Sequence, residues 1–397
     1  MSTVDSTIMT VNAGSSSIKL DIFTANQRLY TLRIIGLGQG EIQIRVTEPD
    51  KETVNATIQI DADQPIEQKL YDTLEQSGYL QNVDTISHRI VQAGPRSQQA
   101  ETITDELVRE LETYIPLDPG HLTRSLRLID LFRKNLPGVL HVVCYDTAYF
   151  HNLPRVAQLL SVPNQGADPA FRRYGFHGLS YAYLQQAFQE YAGDVAVNGR
   201  VIYAHLGSGA SLAATRSGKP VDTTMGFSPA SGIVMSTRSG DIDPSLAWYM
   251  HTKYDVDEES FKHMVNFESG LLGVSGRSAD MHRLLQEQDQ HAGSRDAVAL
   301  FVYNVQKAIG SLATTIGGLD SLIFSGGIGE QSSEIRQRVC QNLDFLGITV
   351  DTKLNSVHEK CISSESSRVG VHVIPTDESM VMCRLAKGII GQKEILG

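Results

Sequence analysis

The 397-residue sequence is short of cysteine, of tryptophan, of positive charge and of long apolar runs. Its four cysteines, Cys144, Cys340, Cys361 and Cys383, stand far apart and form no C-x-x-C pair. That spacing argues against a zinc site or a disulfide framework and predicts free thiols in a reducing compartment. No apolar run approaches the roughly 18–20 residues that a bilayer-spanning helix needs. The opening MSTVDSTIMTVNAG has neither the basic segment nor the apolar stretch of a secretory leader. The expectation is a cytoplasmic protein with no membrane partner. With 34 Lys and Arg against 45 Asp and Glu, the net charge is −11. A uniformly acidic chain is a poor match for nucleic acid or an anionic membrane. A small anionic substrate remains compatible, because local arginines offset the global field. No low-complexity tract and no short-period repeat stands out, so the chain reads as neither disordered nor a solenoid.

What is present suits a globular enzyme. Hydrophobic residues make up 41% of the chain and charged residues 20%. The length exceeds one ordinary core and predicts two domains. Residues 7–12 (TIMTVN) and 18–23 (IKLDIF) read as strands joined by a Gly-Ser turn, and 29–35 and 41–47 continue a β-meander. Helical spacing covers 65–78 and 103–114. IPLDPGH (115–121) reads as a breaker, followed by an amphipathic helix over 122–134. VLHVVC (139–144) is a short buried strand ending at Tyr145-Asp146. A second set of similar elements follows: a strand over 200–204, a glycine turn, a strand over 211–215, a long helix over 297–315, and strands over 320–324 and 371–375. The strand–glycine turn–strand unit therefore occurs twice, at 7–23 and 200–215. This predicts a pseudo-duplicated α/β protein with a cleft between its halves.

Several segments carry chemistry. In Asn12-Ala13-Gly14-Ser15-Ser16-Ser17-Ile18-Lys19, small residues let backbone N–H groups approach phosphate oxygens, Lys19 adds a point charge, and Asn12 suits a metal-bound water. The pattern is not a Walker A loop, and a plain polar hairpin is the alternative. His205-Leu206-Gly207-Ser208-Gly209 is a glycine turn at the corresponding place in the second half. Gly326-Gly327-Ile328-Gly329-Glu330 follows a strand, and its glycines leave room for a flat ring against backbone. Its spacing and late position do not fit a dinucleotide fingerprint. Arg89, Arg172-Arg173 and Arg238 lie in or beside glycine-rich loops, where planar guanidinium groups suit carboxylate and phosphoryl oxygens. Asp146 and Glu378 follow strands, a usual position for carboxylates that hold Mg²⁺.

Taken in order, NAGSSSIK, HRIV, YDTA, RRYGFHG, HLGSGAS with DTTMGFSP and TRSGDIDP, SGLLGVSG with SGGIGE, and PTDE resemble the acetate kinase family over nearly the whole chain. The resemblance implies two duplicated actin-like ATPase (ribonuclease H-like) domains with mixed sheets and an interdomain cleft. The first would take residues 1–146 plus about 384–397, and the second 147–383 with the nucleotide site. It implies a Mg-dependent homodimer, with Mn²⁺ as a substitute metal, that moves the γ-phosphoryl group of ATP to acetate and yields acetyl phosphate and ADP. By resemblance, Asn12 and Glu378 are metal-site residues and Arg89 binds the substrate carboxylate. Asp146, His177 and Arg238 are catalytic. Lys19, His205, Leu206, Gly207, Ser208, Gly209, Asp280, Met281, His282, Gly327, Ile328, Gly329, Glu330 and Gln331 contact the nucleotide.

The chain departs from the family pattern at a few places. Ser208 stands where the family has Asn, Asp118 where it has His in P-L-H-N-P, and Ser231 where it has Glu. Gln92-Ala93 replaces His-Gly. Two other readings follow: a kinase for another short acid (propionate or butyrate) or one using pyrophosphate, and a weakened relative acting as sensor or scaffold. Chemistry adds one expectation. A small carboxylic acid is ionised near neutral pH, since such groups titrate at about 4. The acceptor therefore needs no base, and Asp146 is expected to orient Arg89 or a metal-bound water.

Overall fold

The computed structural model describes residues 6–14, 17–37, 41–59, 66–163 and 169–396. Ser15 and Ser16, part of the segment whose sequence reads as a phosphate-approaching turn, lie outside the described residues. The chain forms two compact units, Met1–Tyr149 with Asp377–Gly397, and Phe150–Thr376.

The first unit contains β1 (Thr7–Ala13), β2 (Ser17–Thr24), β3 (Gln27–Ile35), β4 (Glu41–Thr47), β5 (Val54–Gln59), β6 (Thr85–Ile90), β7 (Ala100–Thr102) and β8 (Leu140–Tyr145). They form one sheet in the order β5-β4-β3-β2-β1-β6-β8-β7. The meander from β1 to β5 is antiparallel, whereas β1, β6 and β8 run parallel. The central strands are buried on both faces, as strands covered by helices must be. On one side, Leu70, Tyr71, Leu74, Leu128 and Phe132, from helices Ile66–Gln76 and Pro119–Asn135, join the core of Met9, Val11, Leu20 and Ile22. Cys383 and Ala386 of the helix Glu378–Leu396 pack with Ile8 and Phe23. The C-terminal helix thus completes the N-terminal unit.

Two local outcomes differ from the sequence reading. The helix expected from residue 122 begins at Pro119, inside the segment read as a breaker. Proline has no N–H, and the first helical position needs none, so the residue that would break a helix starts this one. β5 was not anticipated. Its sequence, VNATIQ, carries too few apolar residues to announce a strand, and its pairing with β4 supplies the order.

The second unit holds β9 (Arg200–Leu206), β10 (Ala210–Arg216), β11 (Lys219–Thr223), β12 (Ser321–Ser325) and β13 (Gly370–Val373), in the order β11-β10-β9-β12-β13. β9, β10 and β11 are antiparallel, and β9, β12 and β13 are parallel. This repeats the order and directions of β3-β2-β1-β6-β8, so the duplication expected from two hairpins extends to all five central strands. The 25-residue helix Ala292–Ile316 buries Ala297, Val298, Phe301, Val305, Ile309 and Leu312 at helical spacing. Among the described residues, no helix is long and apolar enough to cross a membrane, and all four cysteines are free.

Three buried histidines tie stability to pH. Burial drives His88 well below its ordinary pKa and lowers His141 and His372 to about 4. His88 Nε2 and His141 Nδ1 lie 3.1 Å apart and share a single hydrogen bond, which protonation of both rings would break. The unfolded chain takes up protons near pH 6.5, whereas folded His141 and His372 do not until about 4 and folded His88 resists protonation well below its ordinary value. This contribution is therefore complete above pH 7, falls as pH drops through 6.5, and levels off for His141 and His372 near 4. In the first unit, two protons give a slope approaching about 2.7 kcal/mol per pH unit. Urea midpoints taken from pH 7.5 to 5 will show the decline, and His141→Gln will flatten it. A flat profile in the unaltered protein would contradict the assignment.

Candidate active site

The carboxyl ends of parallel strands are where open α/β sheets place their ligands. In the first unit, the ends of β1, β6 and β8 carry Asn12, Arg89 and Asp146. Arg89 donates from Nε to Asp146 Oδ2 at 3.0 Å, and its Nη2 makes a second, shorter bond to the same oxygen. Nη1 donates to Asn12 Oδ1 at 2.9 Å and lies 3.6 Å from Glu378 Oε2. Asn12 Nδ2 in turn donates to Glu378 Oε2 at 2.6 Å. Asp146 is fully buried and the Arg89 side chain nearly so. Burial alone would lower the Arg89 pKa, but the Asp146 and Glu378 charges outweigh it and raise the pKa instead. The guanidinium is thus permanently charged and fixed in orientation. Removing one partner of such a buried pair typically costs about 3–5 kcal/mol.

The surrounding groups point to the same strand ends. Arg124, in the first part of the helix Pro119–Asn135, donates to the carbonyl of Gly14 at 2.8 Å and so braces the glycine turn. Asp118 stands at the N-cap of that helix yet makes no side-chain cap. Its Oδ1 instead bonds His121 Nδ1 at 2.7 Å, and both residues are buried. An ionised carboxylate accepts only, so His121 carries its hydrogen on Nδ1. Asp118 also acts electrostatically on Arg89. Lys19, opposite Asn12 in the β1–β2 register, pairs with the buried Asp21 at 3.0 Å. Asp21 also meets Arg28, which reaches Asp377 at 2.5 Å.

The second unit builds a separate cluster. His177 adopts φ 60° and ψ 27° at the N-cap of the helix Gly178–Ala192. A non-glycine residue pays roughly 1–2 kcal/mol for that left-handed conformation. Its Nδ1 shares a hydrogen bond with Ser211 Oγ at 2.9 Å, and Tyr181 Oη reaches the same hydroxyl at 2.5 Å. The His177 and His205 rings lie 4.6 Å apart, and His205 Nδ1 bonds Ser180 Oγ at 2.8 Å. Arg238 is buried, with Nη1 donating to Pro229 O at 3.1 Å. A Cβ on Gly209 would stand 3.1 Å from His177 Nε2 and 3.5 Å from Arg238 Nη1. The second glycine turn therefore meets both side chains.

The third glycine segment forms the short helix Gly326–Gln331 at the end of β12. Gly326 has φ 74°, and a Cβ there would collide with Leu206 O at 2.7 Å, so only glycine fits. Gly327 and Gln331 are exposed, and Gly329 is buried against β9. A Cβ on Gly207 would come within 4.0 Å of Gly327 N, so the two turns are neighbours. Ser208 is exposed in the first of them, and its carbonyl accepts from Ser236 N. Glu330 turns inward: Oε1 accepts from Gly326 N at 2.9 Å, Thr376 N at 3.2 Å and Ser325 Oγ at 3.2 Å. Asp280 caps the helix Met281–Glu287 by accepting from His282 N at 3.0 Å, and Met281 is buried.

A sequence profile described as the acetokinase family matches residues 7–384. The chain belongs to that family. The acetate kinase of Rhodopseudomonas palustris (strain TIE-1) is 35% identical over 386 residues, covering 95% of this chain and 96% of that protein. The acetate kinase of Bacillus velezensis is 37% identical over 391 residues, covering 96% and 98%. Among solved structures, Porphyromonas gingivalis acetate kinase superposes with a TM-score of 0.83 at 30% identity, covering 97% of this chain and all of the other. A propionate kinase from Francisella tularensis gives 0.87 at 28% identity, covering 96% and 98%. The two mixed sheets are those of the actin-like ATPase fold that this acetokinase shares with them.

The sequence reading paired Asn12 with Glu378 and expected Asp146 to orient Arg89 or a metal-bound water, and the structure brings all four into one bonded group. It likewise brings His177 and Arg238 to Gly209. It does not leave Lys19, Glu330 or the Met281 side chain facing solvent unengaged. Sequence reasoning missed Arg124 and Arg336. Neither stands in a glycine-rich motif, and an arginine inside an amphipathic helix reads as surface charge. Because a Cβ on Gly209 would stand 3.1 Å from His177 Nε2 and so push that ring by a few tenths of an ångström, Gly209→Ala should cut kcat by on the order of tenfold or more, as misplacing a catalytic group does. Its melting temperature should hold, since no positive φ is required there. Full activity in that variant would dissociate the turn from His177 and Arg238.

Proposed function

We propose that the chain catalyses reversible transfer of the γ-phosphoryl group of ATP to acetate, giving acetyl phosphate and ADP. The observation that carries this reading is the buried Arg89, held by Asp146, Asn12 and Glu378 at the ends of three parallel strands. It is an oriented, permanently charged receptor for a small carboxylate or acyl phosphate. Acetokinase membership over residues 7–384 supports it.

The roles follow from chemistry. Arg89 holds the acceptor carboxylate. His177 and Arg238, beside the Gly207–Gly209 backbone, suit the charge that spreads over the equatorial phosphoryl oxygens in a loose transition state. Lys19 and the backbone of the first glycine turn suit phosphate. The turns around Gly207 and Gly327, with Asp280 and His282, suit the nucleotide, while Glu330 shapes its turn from inside. Asn12 and Glu378 offer a carbonyl and a carboxylate oxygen, the hard donors Mg²⁺ takes, and Mn²⁺ fits the same set. Among the described residues, no three His, Cys, Asp or Glu cluster into a metal cage. That composition suits a cation shared with phosphate oxygens. When bound, the cation supplies neutralisation of phosphate charge. Asp146 accepts two hydrogen bonds from Arg89, so we assign it to orientation.

Cytoplasmic residence and a homodimer complete the reading. Helix Ser245–Tyr254 buries none of its residues and exposes Trp248 at 66%, Tyr249 at 51% and Tyr254 at 57%. Aromatic side chains of this kind suit the core of an interface between copies. Trp248→Glu is expected to convert a dimer to a monomer in sedimentation, and a dimer that persists would place the interface elsewhere.

Hydroxamate trapping of acyl phosphate, with ATP, Mg²⁺ and a panel of acetate, propionate and butyrate, tests the activity. Product with acetate is expected, and its absence with every acid would end the proposal. Asp146→Asn should lower kcat/KM for acetate by on the order of 10²-fold or more. The same factor should hold from pH 6 to 8, where the acid stays ionised. A new pH dependence would restore Asp146 as a base.

A further inference from the structure

Arg336, on the helix Ser333–Cys340, heads the fully buried side chains by volume among the described residues, at 0% exposure. Its Nε donates to Asn355 Oδ1 at 2.8 Å, and its Nη1 to Gly329 O and Glu330 O, both at 2.8 Å. Nη2 donates to Asn355 O at 2.9 Å. His358 Nδ1 lies 3.0 Å from both Arg336 Nη2 and Glu330 O, so one tautomer accepts from the guanidinium and the other donates to the carbonyl. None of these partners is a carboxylate. Buried arginines are ordinarily paired with an anion, and this one has only dipoles. Burial lowers its pKa to about 10, which still leaves it charged at neutral pH.

The position of this charge matters. Gly329 O and Glu330 O are among the last carbonyls of Gly326–Gln331, groups that a helix end leaves without partners. Arg336 satisfies them from behind, while the Glu330 carboxylate ties Gly326 N and Thr376 N from the other side. The backbone is clamped at both ends with Gly327 and Gln331 facing outward. Asn355 secures the clamp, donating from Nδ2 to Ser333 O at 2.8 Å.

We propose that Arg336 is a positioning residue for an anionic nucleotide: it fixes the Gly327–Gln331 turn, and its unneutralised charge favours the nucleotide's phosphates over an uncharged nucleoside. The proposal rests on the reading of that turn as a nucleotide contact. A buried charge is screened far less than a surface one, so its field reaches a bound anion. A guanidinium that only tied the helix Ser333–Cys340 to residues 355–358 would lack this charge selectivity.

The test is calorimetric binding of ADP and of adenosine to the full chain, unaltered and as Arg336→Lys, Arg336→Met and His358→Gly. Glycine is chosen at 358 because His358 has φ 58°. The expected result is that Arg336→Met weakens ADP more than adenosine by on the order of tenfold, a ΔΔG of about 1.4 kcal/mol. Arg336→Lys should recover part of that difference. His358→Gly keeps the charge, so it should weaken both ligands by one common factor. Equal losses for ADP and adenosine in Arg336→Met overturn the proposal, as does the absence of any loss. If Arg336→Met fails to fold, Arg336→Lys and His358→Gly decide. An unchanged ADP affinity in both overturns it. If the unaltered chain binds neither ligand, it is the nucleotide reading of the turn that has failed.

Discussion

A guanidinium taken out of water needs fixed partners for its N–H groups and charge, and the first unit is organised around supplying anions for one. Arg89 leaves solvent on β6 and meets Asp146 from β8, Asn12 from β1 and Glu378 from the C-terminal helix. Four stretches separated by up to 366 positions must be in register before the charge is matched. Misplacing any one strands an ion in a low-dielectric interior, at a cost of several kcal/mol. The constraint explains why the chain returns to its own beginning. Glu378 opens the helix whose Cys383 and Ala386 pack with Ile8 and Phe23. The same helix that closes the core thereby delivers the carboxylate.

The second unit uses the same five-strand plan for different chemistry. Where β1 ends in Asn12 and a serine turn, β9 ends in His205 and the turn Gly207–Gly209. Where β6 carries Arg89, β12 runs into Gly326. Where β8 ends in Asp146, the chain after β13 passes through Thr376, whose N–H is held by Glu330. The common element is topological: three parallel strands present their carboxyl ends together, whatever those ends carry. One unit fills them with a matched ion cluster. The other fills them with glycine backbone, against which His177 and Arg238 pack. Specificity of role therefore lies in the residue at each strand end, and the sheet supplies only the coincidence in space.

This division also determines what the sequence discloses. Strand ends with glycine, serine or aspartate are conspicuous, so Asn12, Asp146, Gly207, Gly209 and Gly327 were legible as candidates before their neighbours were known. Most core strands were legible too, since TIMTVN, IKLDIF and VLHVVC are β-prone throughout. β5 was not, because order there comes from pairing with β4 and little from its own composition. The start of the helix at Pro119 was hidden by a residue whose meaning reverses with position. Arg336 and Arg124 were hidden for a third reason. Whether an arginine is engaged by backbone carbonyls is a property of the assembled fold, and no local pattern in SEIRQRVC or HLTRSL separates an engaged guanidinium from a solvated one.

The departures from the acetokinase pattern bear on whether the chain is a working enzyme or a retired one. A site released from function tends to lose charge matching first, since unpaired buried ions are the most costly feature to retain. Here the opposite holds. Asp118, in place of a family histidine, bonds His121, so a histidine remains in the same helical turn, held by a carboxylate. Gln92 folds its Oε1 back to Gly94 N at 3.1 Å, within its own loop. Ser208 lies exposed while its backbone keeps the turn through Ser236. Ser231 bonds Gly226 N at 2.8 Å and Ser228 O at 2.9 Å, an internal brace for a loop next to Arg173. The side chains of Asp118, Gln92 and Ser231 each find a partner within a few residues, and Asp118 adds a further negative charge that acts on Arg89. Keeping a strained His177 and a largely buried Asp146–Arg89 pair costs stability that a scaffold would have no reason to bear. The substitutions therefore read as adjustments around an intact charge framework, which favours catalysis over a sensor or scaffold.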